Sequence, residues 1–334
     1  MQKFLVIQTA FIGDVVLATA VAEKLHHQFP QAQIDVLVRK GNETLFEGHP
    51  FIRKVWVWNK KENKFRNLLK LGKELRREIY GDVINLQRFF SSGLLTILSG
   101  AKVSRGFDKN PLSFFFQIKK KHVINAKGKI HEIERNQLLI ADITDPVAAH
   151  PRLYPTIADT EKVSGFKNGA YICCAPASVW HTKQYPKSYW IDFINKIPAH
   201  VTVYLIGGQI DHGLCEEITV SSENTRAKNL CGKLSYLESA SLMKDAQMNY
   251  VNDSAPIHFA SAVNAPVAAI FCSTISNFGY GPLSDKKYLV EINYSLYCRP
   301  CGLHGHQKCP QQHFKCAHDI PHHRLIEILN ESTS

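Results

Sequence analysis

The stretch "KFLVIQTAFIGDVVLATAVA" (residues 3–22) decides the fold. An apolar run over residues 3–8 enters a short loop, and an apolar-periodic segment over residues 14–28 follows. This order is typical of the strand–turn–helix junction that starts a doubly wound α/β domain. Many such domains bind a phosphate on glycine backbone at this junction. Here the loop holds one glycine, Gly13, followed by an acid, Asp14, which would repel a phosphate.

The composition is ordinary for a soluble globular protein. Of 334 residues, 45% are hydrophobic and 21% are charged, and this length favours two domains. No apolar run approaches the ~18 residues needed to span a membrane. The N-terminal residues also lack the basic start and long apolar core of a signal peptide, so we expect a cytoplasmic protein. Nine cysteines, an odd number in a chain of this size, argue against a disulfide framework.

Strands alternate with helices in both halves of the chain, which predicts βαβ units and two parallel sheets. Strands of the first half are predicted over residues 3–8, 34–39, 54–59, 82–87 and 102–107. Strands of the second half are predicted over residues 170–176, 201–208, 248–254 and 267–273. The proline-rich residues 142–159 are predicted to be a linker, which gives domains over residues 1–155 and 156–334.

The net charge of +11 lies entirely in the first half. Residues 1–155 hold 25 Lys and Arg against 14 Asp and Glu, whereas residues 156–334 hold 15 of each. The cations concentrate in residues 60–78 and 119–129. This asymmetry favours an anionic partner for the first half: nucleic acid, an anionic membrane surface or a phosphorylated substrate. For residues 60–78 alone, a solvated helix face is an equal alternative, because acids are interleaved there.

Three common sequence motifs are absent: G-x-G-x-x-G, G-x-x-x-x-G-K-[ST] and G-x-S-x-G. Their absence disfavours a dinucleotide oxidoreductase and a P-loop NTPase. It also leaves no nucleophile elbow for serine chemistry.

The most informative stretch of the second half is "NYVNDSAPIHFASAVNAP" (residues 249–266). A strand ends in residues 252–255, and a helix starts at Pro256, a residue suited to the first helical turn. The small residues before it let a ligand approach the backbone, where free N–H groups and the helix dipole favour a diphosphate. His258 offers a further hydrogen bond or positive charge. A plain helix cap by the side chains before the proline is an equal alternative.

A second polar loop, "APASVWHTKQYP" (residues 175–186), follows the first strand of this half. Ser178 and Thr182 offer hydroxyl groups, and Lys183 offers a cation. Because the loops that follow parallel strands lie at one edge of a sheet, we expect both polar loops at the same place. A shared anionic ligand is therefore favoured over an ordinary surface lysine.

Five motifs occur in the order and spacing of glycosyltransferase family 9, the ADP-heptose:lipopolysaccharide heptosyltransferases and their relatives. They are "FIGDVVLATAV" (11–21), "APASVWHTKQYP" (175–186), "LIGGQID" (205–211), "NLCGKLSYLESASLM" (229–243) and "NDSAPIHFASAVNAPVAAIF" (252–271). The resemblance covers nearly the whole chain. It implies an α/β, GT-B fold, in which two Rossmann-like doubly wound domains face each other across a cleft.

The resemblance also implies an inverting transfer of a heptose, or a related sugar, from an ADP-sugar to a hydroxyl of a lipopolysaccharide core acceptor, without a catalytic metal. The C-terminal domain would hold the nucleotide sugar and the N-terminal domain the acceptor. By motif, Asp14 resembles the catalytic base, and Ser178 and Lys183 resemble diphosphate contacts, with Lys183 stabilising the leaving group. The nucleotide-sugar loop and its helix histidine are matched by Asp253, Ser254, Ala255 and His258.

Two positions depart from the family pattern. The loop that often reads K-R-W-P has Gln184 and Tyr185 here, and Ala255 replaces a frequent glycine. A family relative that uses another nucleotide sugar is therefore one alternative. The alternative from another class is a basic nucleic-acid-binding protein with a zinc-ribbon-like tail, which the neutral second half disfavours. An inactive protein that binds the lipid A surface is disfavoured by Asp14.

The charge distribution agrees with an anionic acceptor. The basic first half would meet the phosphates of such an acceptor at the inner face of the cytoplasmic membrane, where charge steers docking without a membrane-spanning segment. We therefore expect peripheral contact with that membrane. For Asp14 the plain alternative is a helix cap, and a helix N-terminus would keep its carboxylate ionised while lowering its basicity.

A cluster of cysteines, "CRPCGLHGHQKCPQQHFKC" (residues 298–316), lies near the end of the chain. The C-x-x-C pair and the two cysteines that follow predict a structural zinc site, with Cys298, Cys301, Cys309 and Cys316 as ligands. Their spacing matches no common zinc module, and a metal-free thiol-rich loop is the alternative. A catalytic zinc is not expected, because other motifs account for the chemistry. Residues 319–329 are predicted to form a short amphipathic helix that packs on the N-terminal domain.

Overall fold

The computed structural model describes residues 2–128 and 130–333. The chain divides into two compact units. The first runs to Asn125 and resumes over Ile130–Tyr154, and the second takes a short segment that begins at Ala126 and the chain from Pro155 onward.

The first unit is a parallel sheet with helices between its strands. Its strands are β1 (Lys3–Ile7), β2 (Gln33–Arg39), β3 (Ile52–Trp58), β4 (Asp82–Asn85), β5 (Val103–Phe107) and β6 (Ile118–Lys120). Its helices are α1 (Ile12–Gln28), α2 (Lys64–Arg77), α3 (Phe90–Leu98) and α4 (Glu132–Gln137). The strand order is β3-β2-β1-β4-β5-β6, and each recorded pairing in this sheet is parallel.

The second unit repeats this plan. Its strands are β7 (Tyr171–Ala175), β8 (Thr202–Leu205), β9 (Ala227–Asn229), β10 (Asn249–Asn252), β11 (Val267–Ile270) and β12 (Lys287–Val290). Its helices are α5 (Ile157–Ser164), α6 (Lys187–Asn195), α7 (His212–Ser221), α8 (Tyr236–Lys244), α9 (Ala255–Ala262), α10 (Lys315–His318) and α11 (His323–Thr333). The order β12-β11-β10-β7-β8-β9 is the same permutation of six parallel strands.

Both sheets have the doubly wound order of a Rossmann fold, in which the fourth strand lies beside the first. Strand order reverses between β1 and β4 in the first sheet and between β7 and β10 in the second. Ligands of such sheets bind outside the carboxyl ends of the strands at this reversal. The predicted α/β architecture of two Rossmann-like sheets is confirmed.

Three strands were not predicted: β6, β9 and β12. All three lie at an edge of their sheet. Edge strands bury fewer side chains, so their sequences lack the continuous apolar run of a central parallel strand. Helix α5 was also missed, and it begins inside the stretch predicted to be a linker, where Thr156 and Asp159 form a capping box.

Helix α11 completes the core of the second unit. Its Leu325, Ile328 and Leu329 are buried in the same hydrophobic cluster as the strands β7, β8 and β10. The hydroxyl of Tyr250 on β10 also donates a hydrogen bond to the carbonyl oxygen of Leu325, at 3.0 Å. The apolar face of this helix is therefore used within the second unit, and its expected packing on the N-terminal domain stays a prediction. Among the helices described, none is long and apolar enough to cross a bilayer.

Candidate functional site

Lys183 and Asp253 meet at the strand-order reversal of the second sheet. Lys183 ends a 3₁₀ turn, His181–Lys183, in the loop between β7 and α6, and Asp253 directly follows β10. The Nζ atom of Lys183 is 2.7 Å from Oδ2 of Asp253. Their side chains are 15% and 9% exposed, so the ion pair is largely shielded from water. The two polar loops therefore share one edge of the sheet, as expected.

Asp253 is held by groups from the next strand. Its backbone N–H donates to the carbonyl oxygen of Ile270, the last residue of β11, at 3.0 Å. The hydroxyl of Thr274 donates to Oδ2 of Asp253, the same oxygen that Lys183 approaches. The carboxylate is thus fixed, and it in turn fixes the ammonium group of Lys183 at the carboxyl edge of the sheet.

Thr182 belongs to the frame of the Lys183 loop. Its hydroxyl oxygen accepts hydrogen bonds from the backbone N–H of His306, at 2.8 Å, and from the hydroxyl of Ser273, at 3.0 Å. Its backbone N–H donates to the carbonyl oxygen of His306, at 3.0 Å. The residue is 1% exposed. These contacts make Thr182 an anchor of the loop; the predicted ligand contact through its hydroxyl stays a prediction.

Ser178 lies half-buried on the same loop. Its carbonyl oxygen accepts a hydrogen bond from Nε2 of Gln184, at 2.7 Å. Gln184, one of the departures from the family pattern, therefore stabilises the loop through a hydrogen bond within it. The backbone N–H of the next residue, Tyr185, donates to Oδ1 of Asn252 at the end of β10, at 3.1 Å. The loop after β7 is thereby tied to the loop after β10 a second time.

The N-terminus of α9 has no side-chain cap. Ser254 occupies the N-cap position in an extended conformation, but its hydroxyl donates to the carbonyl oxygen of Asn252, at 3.2 Å, and accepts no hydrogen bond from the backbone N–H groups of the helix. Pro256 lies in the first turn, as predicted. The plain-cap interpretation is therefore wrong, since the described side chains leave this helix end open to an anion. Ala255 begins the helix, and His258 lies one turn into it, buried.

Asp14 lies in the first turn of α1, at the strand-order reversal of the first sheet. The N-cap residue of this helix is Phe11, so Asp14 is the third helical residue and not its cap. Its carboxylate accepts a hydrogen bond from the backbone of Phe11, as an acid at this position does in a capping box. Asp14 is therefore an acidic residue of the first helical turn and not the N-cap residue.

Burial raises the pKa of Asp14 to about 6. Removal of the carboxylate from water is the largest cause, and the negative charge of Glu132 adds to it. Hydrogen bonds from the backbone of Phe11 and the charge of Arg39 act in the opposite direction. The helix N-terminus was expected to lower the basicity of Asp14, but the rise in its pKa caused by burial is larger. At pH 7 most of the Asp14 population is ionised, yet it is a stronger base than an ordinary aspartate.

Cations surround the loop that carries Asp14. The Nζ atom of Lys60, just after β3, donates to the carbonyl oxygen of Thr9, at 2.6 Å. The guanidinium of Arg39, at the end of β2, lies 4.9 Å from the ring centre of Phe11. Burial and the charges of Arg39 and Lys64 lower the pKa of Lys60 to about 8. At this edge of the first sheet, the weakly acidic carboxyl of Asp14 therefore lies near the cations Arg39 and Lys60.

Comparisons with known proteins identify the family of the chain. A family model described as glycosyltransferase family 9 (heptosyltransferase) matches residues 68–309. The chain belongs to glycosyltransferase family 9. The protein is accordingly a glycosyltransferase, and the nucleic-acid-binding alternative is set aside.

Individual relatives cover nearly the whole of this family 9 chain. The lipooligosaccharide heptosyltransferase 2 of Campylobacter jejuni is 23% identical over 327 residues, which are 96% of each chain. The solved ADP-heptose lipopolysaccharide heptosyltransferase II of E. coli has a TM-score of 0.82 at 20% identity, over 99% of this chain and 98% of that one. A family 9 glycosyltransferase of Veillonella parvula has a TM-score of 0.84 at 17% identity, with the same coverage. The predicted GT-B fold is confirmed.

The cysteine cluster lies in residues 298–316, between β12 and α11. Cys298 Sγ lies 3.9 Å from Nε2 of His313, and Cys316 is buried in the hydrophobic core of the second unit. All nine thiols are free. Within residues 2–128 and 130–333, no group of three or more His, Cys, Asp or Glu side chains is placed to hold a metal ion. The structural zinc site with Cys298, Cys301, Cys309 and Cys316 as ligands stays a prediction.

Two groups near Asp14 were missed by sequence reasoning. Lys60 belongs to the basic run at residues 60–78, but only the fold shows that its ammonium group turns back onto the loop after β1. Glu132, at the start of α4, is buried and paired with Arg135 at 2.7 Å, and no motif marks it. Of the second basic run, residues 119–129, Lys129 lies outside the described residues.

The raised pKa of Asp14 predicts a pH-dependent cost in stability. The ordinary pKa is 3.8, so the ionised form opposes folding fully above pH 6 and not at all well below pH 4. We expect Asp14→Asn to raise the free energy of unfolding at pH 8 by about 1–3 kcal/mol. The gain should shrink as the pH falls toward 4. Urea unfolding of both proteins between pH 5 and 8 measures it.

The exposed Asp192→Asn, on α6, is the matched control, and its effect should be small at every pH. An Asp14→Asn protein that is less stable than the wild type across the whole range would contradict the prediction.

Proposed function

We propose that the protein transfers a heptose, or a related sugar, from an ADP-sugar to a hydroxyl of a lipopolysaccharide core acceptor, with inversion and with Asp14 as general base. The observation that carries the proposal is the division of charge between equivalent loops. The loop after the first strand of the second unit offers a shielded cation, Lys183. In the first unit, the helix that follows the equivalent loop offers the carboxyl of Asp14, with a pKa of about 6. The names of the relatives supply the choice of ADP-heptose and lipopolysaccharide.

The second unit suits a nucleoside diphosphate leaving group. Transfer of the sugar breaks its bond to the β-phosphate oxygen, and negative charge develops on that oxygen. Lys183 and the open N-terminus of α9 would stabilise this charge, and both are in place before the reaction starts. Ser178, Ser254, Ala255 and His258 are the further donor contacts of the proposal. Since these groups supply the stabilisation, the mechanism uses no catalytic metal.

The first unit suits deprotonation of the acceptor. A general base works best when its pKa is near the pH of the reaction, because it is then ionised and still basic. Asp14, with a pKa of about 6, meets both conditions near neutral pH. It would take the proton of the acceptor hydroxyl as that oxygen attacks the anomeric carbon. The neighbouring cations Arg39 and Lys60 would attract the phosphates of the acceptor.

Helix α2 suits contact with an anionic membrane. It starts just after β3, at the same edge of the sheet as Asp14. One face packs on the core, whereas the other exposes Phe65 (67%) and Leu69 (51%) beside three cations. These cations are Arg66, Lys70 and Lys73. Apolar and basic side chains on one exposed face favour the surface of an anionic bilayer, where a lipid-anchored acceptor resides.

We expect Asp14→Asn to lower kcat by about 100-fold or more, because the variant cannot accept the proton. It should bind ADP as the wild type does. In the wild-type protein, activity should rise with pH through about 6, as Asp14 ionises. Assays of sugar transfer from ADP-heptose to truncated lipopolysaccharide acceptors between pH 5 and 8 measure both the loss of kcat and the pH dependence. Wild-type rates in Asp14→Asn would overturn the assignment of the base.

We expect Lys183→Ala to weaken ADP binding by about tenfold or more, since a charge-assisted contact to phosphate is lost. Titration calorimetry with ADP measures the change, and the KM for the acceptor should stay constant. Lys187→Ala, on an exposed lysine of the same loop end, is the control. Calorimetric titration with UDP- and GDP-sugars tests the alternative that the protein uses another nucleotide sugar as donor. Equal ADP binding by wild type and Lys183→Ala would contradict the donor site.

We expect the triple variant Arg66→Gln, Lys70→Gln, Lys73→Gln to bind anionic vesicles at least about tenfold more weakly, because each cation near a bilayer contributes about 1 kcal/mol. Co-sedimentation with phosphatidylcholine vesicles, with and without phosphatidylglycerol, measures the change at two salt concentrations. The matched control replaces three exposed lysines of the second unit by glutamine: Lys196, Lys228 and Lys244. Equal binding by the two triple variants would contradict the role of α2.

A further inference from the structure

Residues 299–306, which we call the strap, connect two loops of the second unit. At its first end, the Arg299 side chain donates hydrogen bonds to the carbonyl oxygens of Cys272, at 2.8 Å, and Thr274, at 2.8 Å. The backbone N–H of Cys301 donates to the carbonyl oxygen of Ser273, also at 2.8 Å. The strap is thereby fixed to the loop after β11, whose Thr274 holds the carboxylate of Asp253.

The other end of the strap is fixed to the loop that carries Lys183. His306 and Thr182 exchange two hydrogen bonds, one from each backbone N–H, at 2.8 and 3.0 Å. Ser273 adds a third bond to the hydroxyl of Thr182, at 3.0 Å. Thr182 immediately precedes Lys183. The strap therefore bonds to Thr182, which precedes Lys183, and to Thr274, whose hydroxyl holds Asp253.

Gly305 is where the strap comes closest to Lys183. A Cβ atom at Gly305 would lie 2.8 Å from Oγ1 of Thr182, 3.0 Å from Oγ of Ser273 and 3.2 Å from Cγ of Lys183. The contact with Thr182 is shorter than a Cβ atom tolerates and the other two are tight, so the Thr182 side chain and its loop would have to shift. Gly302, three residues earlier, has nearly the same backbone conformation, with a φ of +72° against +74°, but a Cβ there would meet nothing within 4 Å.

We propose that the strap positions the Lys183 ammonium group for a nucleoside diphosphate, with Gly305 and Ser273 as positioning residues. This inference deepens the proposed function and rests on it. The strap lies within the cysteine-rich segment, so part of that segment serves the donor site without touching the sugar. A shift of a few tenths of an ångström at Thr182 would move the adjacent ammonium group away from the phosphates that it binds.

The two glycines provide a matched test. Both variants, Gly305→Ala and Gly302→Ala, carry the same backbone strain, because alanine disfavours a positive φ at either position. Only Gly305→Ala adds the contact with the Lys183 loop. We expect it to bind ADP about tenfold more weakly than Gly302→Ala, with a raised KM for the donor and an unchanged KM for the acceptor.

Two serines provide a second test that places no strain on the backbone. Ser273→Ala removes the hydroxyl that holds Thr182, and we expect about threefold weaker ADP binding. Ser284→Ala removes a hydroxyl that is equally buried and has no hydrogen-bond partner among the residues that the structure describes, so ADP binding should not change. The serine pair keeps the inference testable if Gly305→Ala does not fold.

Calorimetric titration of ADP into the full chain and its four variants gives the answer. Weaker binding by Gly305→Ala or Ser273→Ala than by its partner variant supports the strap. If the wild type binds ADP and each variant binds it as tightly as its partner, the inference falls and the proposed function stands. If the wild type binds no ADP, both fall.

Discussion

The pairing of each sheet's first strand with its fourth strand is the constraint on which both candidate sites depend. In the second unit, Val251 of β10 pairs with Ala175 of β7, and both chains then leave the sheet at the same edge. Parallel hydrogen bonding makes this unavoidable, because parallel strands end on the same side. Lys183 and Asp253 are 70 positions apart in the sequence, and this pairing brings them to 2.7 Å. The equivalent pairing of β1 with β4 places the loop before Asp14.

The two units use equivalent loops for opposite charges. In the second unit the loop after the first strand holds a cation, and its counter-charge, Asp253, comes from the fourth strand. In the first unit the loop after the first strand leads into an acid, and the cations Arg39 and Lys60 come from the second and third strands. Burial disfavours the charged form of both the Asp14 carboxyl and the Lys60 ammonium group. The pKa of Asp14 rises and that of Lys60 falls, so both move toward neutrality.

Much of this arrangement follows from sequence pattern. The apolar runs of the central strands and the polar residues after them predicted the loops of Asp14, Lys183 and Asp253, because the geometry of parallel sheets is general. Edge strands such as β9 were missed, since three half-polar residues carry no periodicity. The pKa of Asp14 was misjudged for another reason: the helix dipole is visible in a sequence, whereas the desolvation that outweighs it depends on how the chain packs. Thr182 was placed correctly on its loop, but its partner His306 lies 124 positions away, and no local pattern joins the two.

The strap has a consequence for the order in which the protein is made. A ribosome synthesises the Lys183 loop about halfway through the chain, but the strap, whose His306 bonds to Thr182 of that loop, begins only at Arg299. Helix α11, which fills the core of the same unit, comes later still. During translation the Lys183 loop therefore exists before the strap that bonds to it.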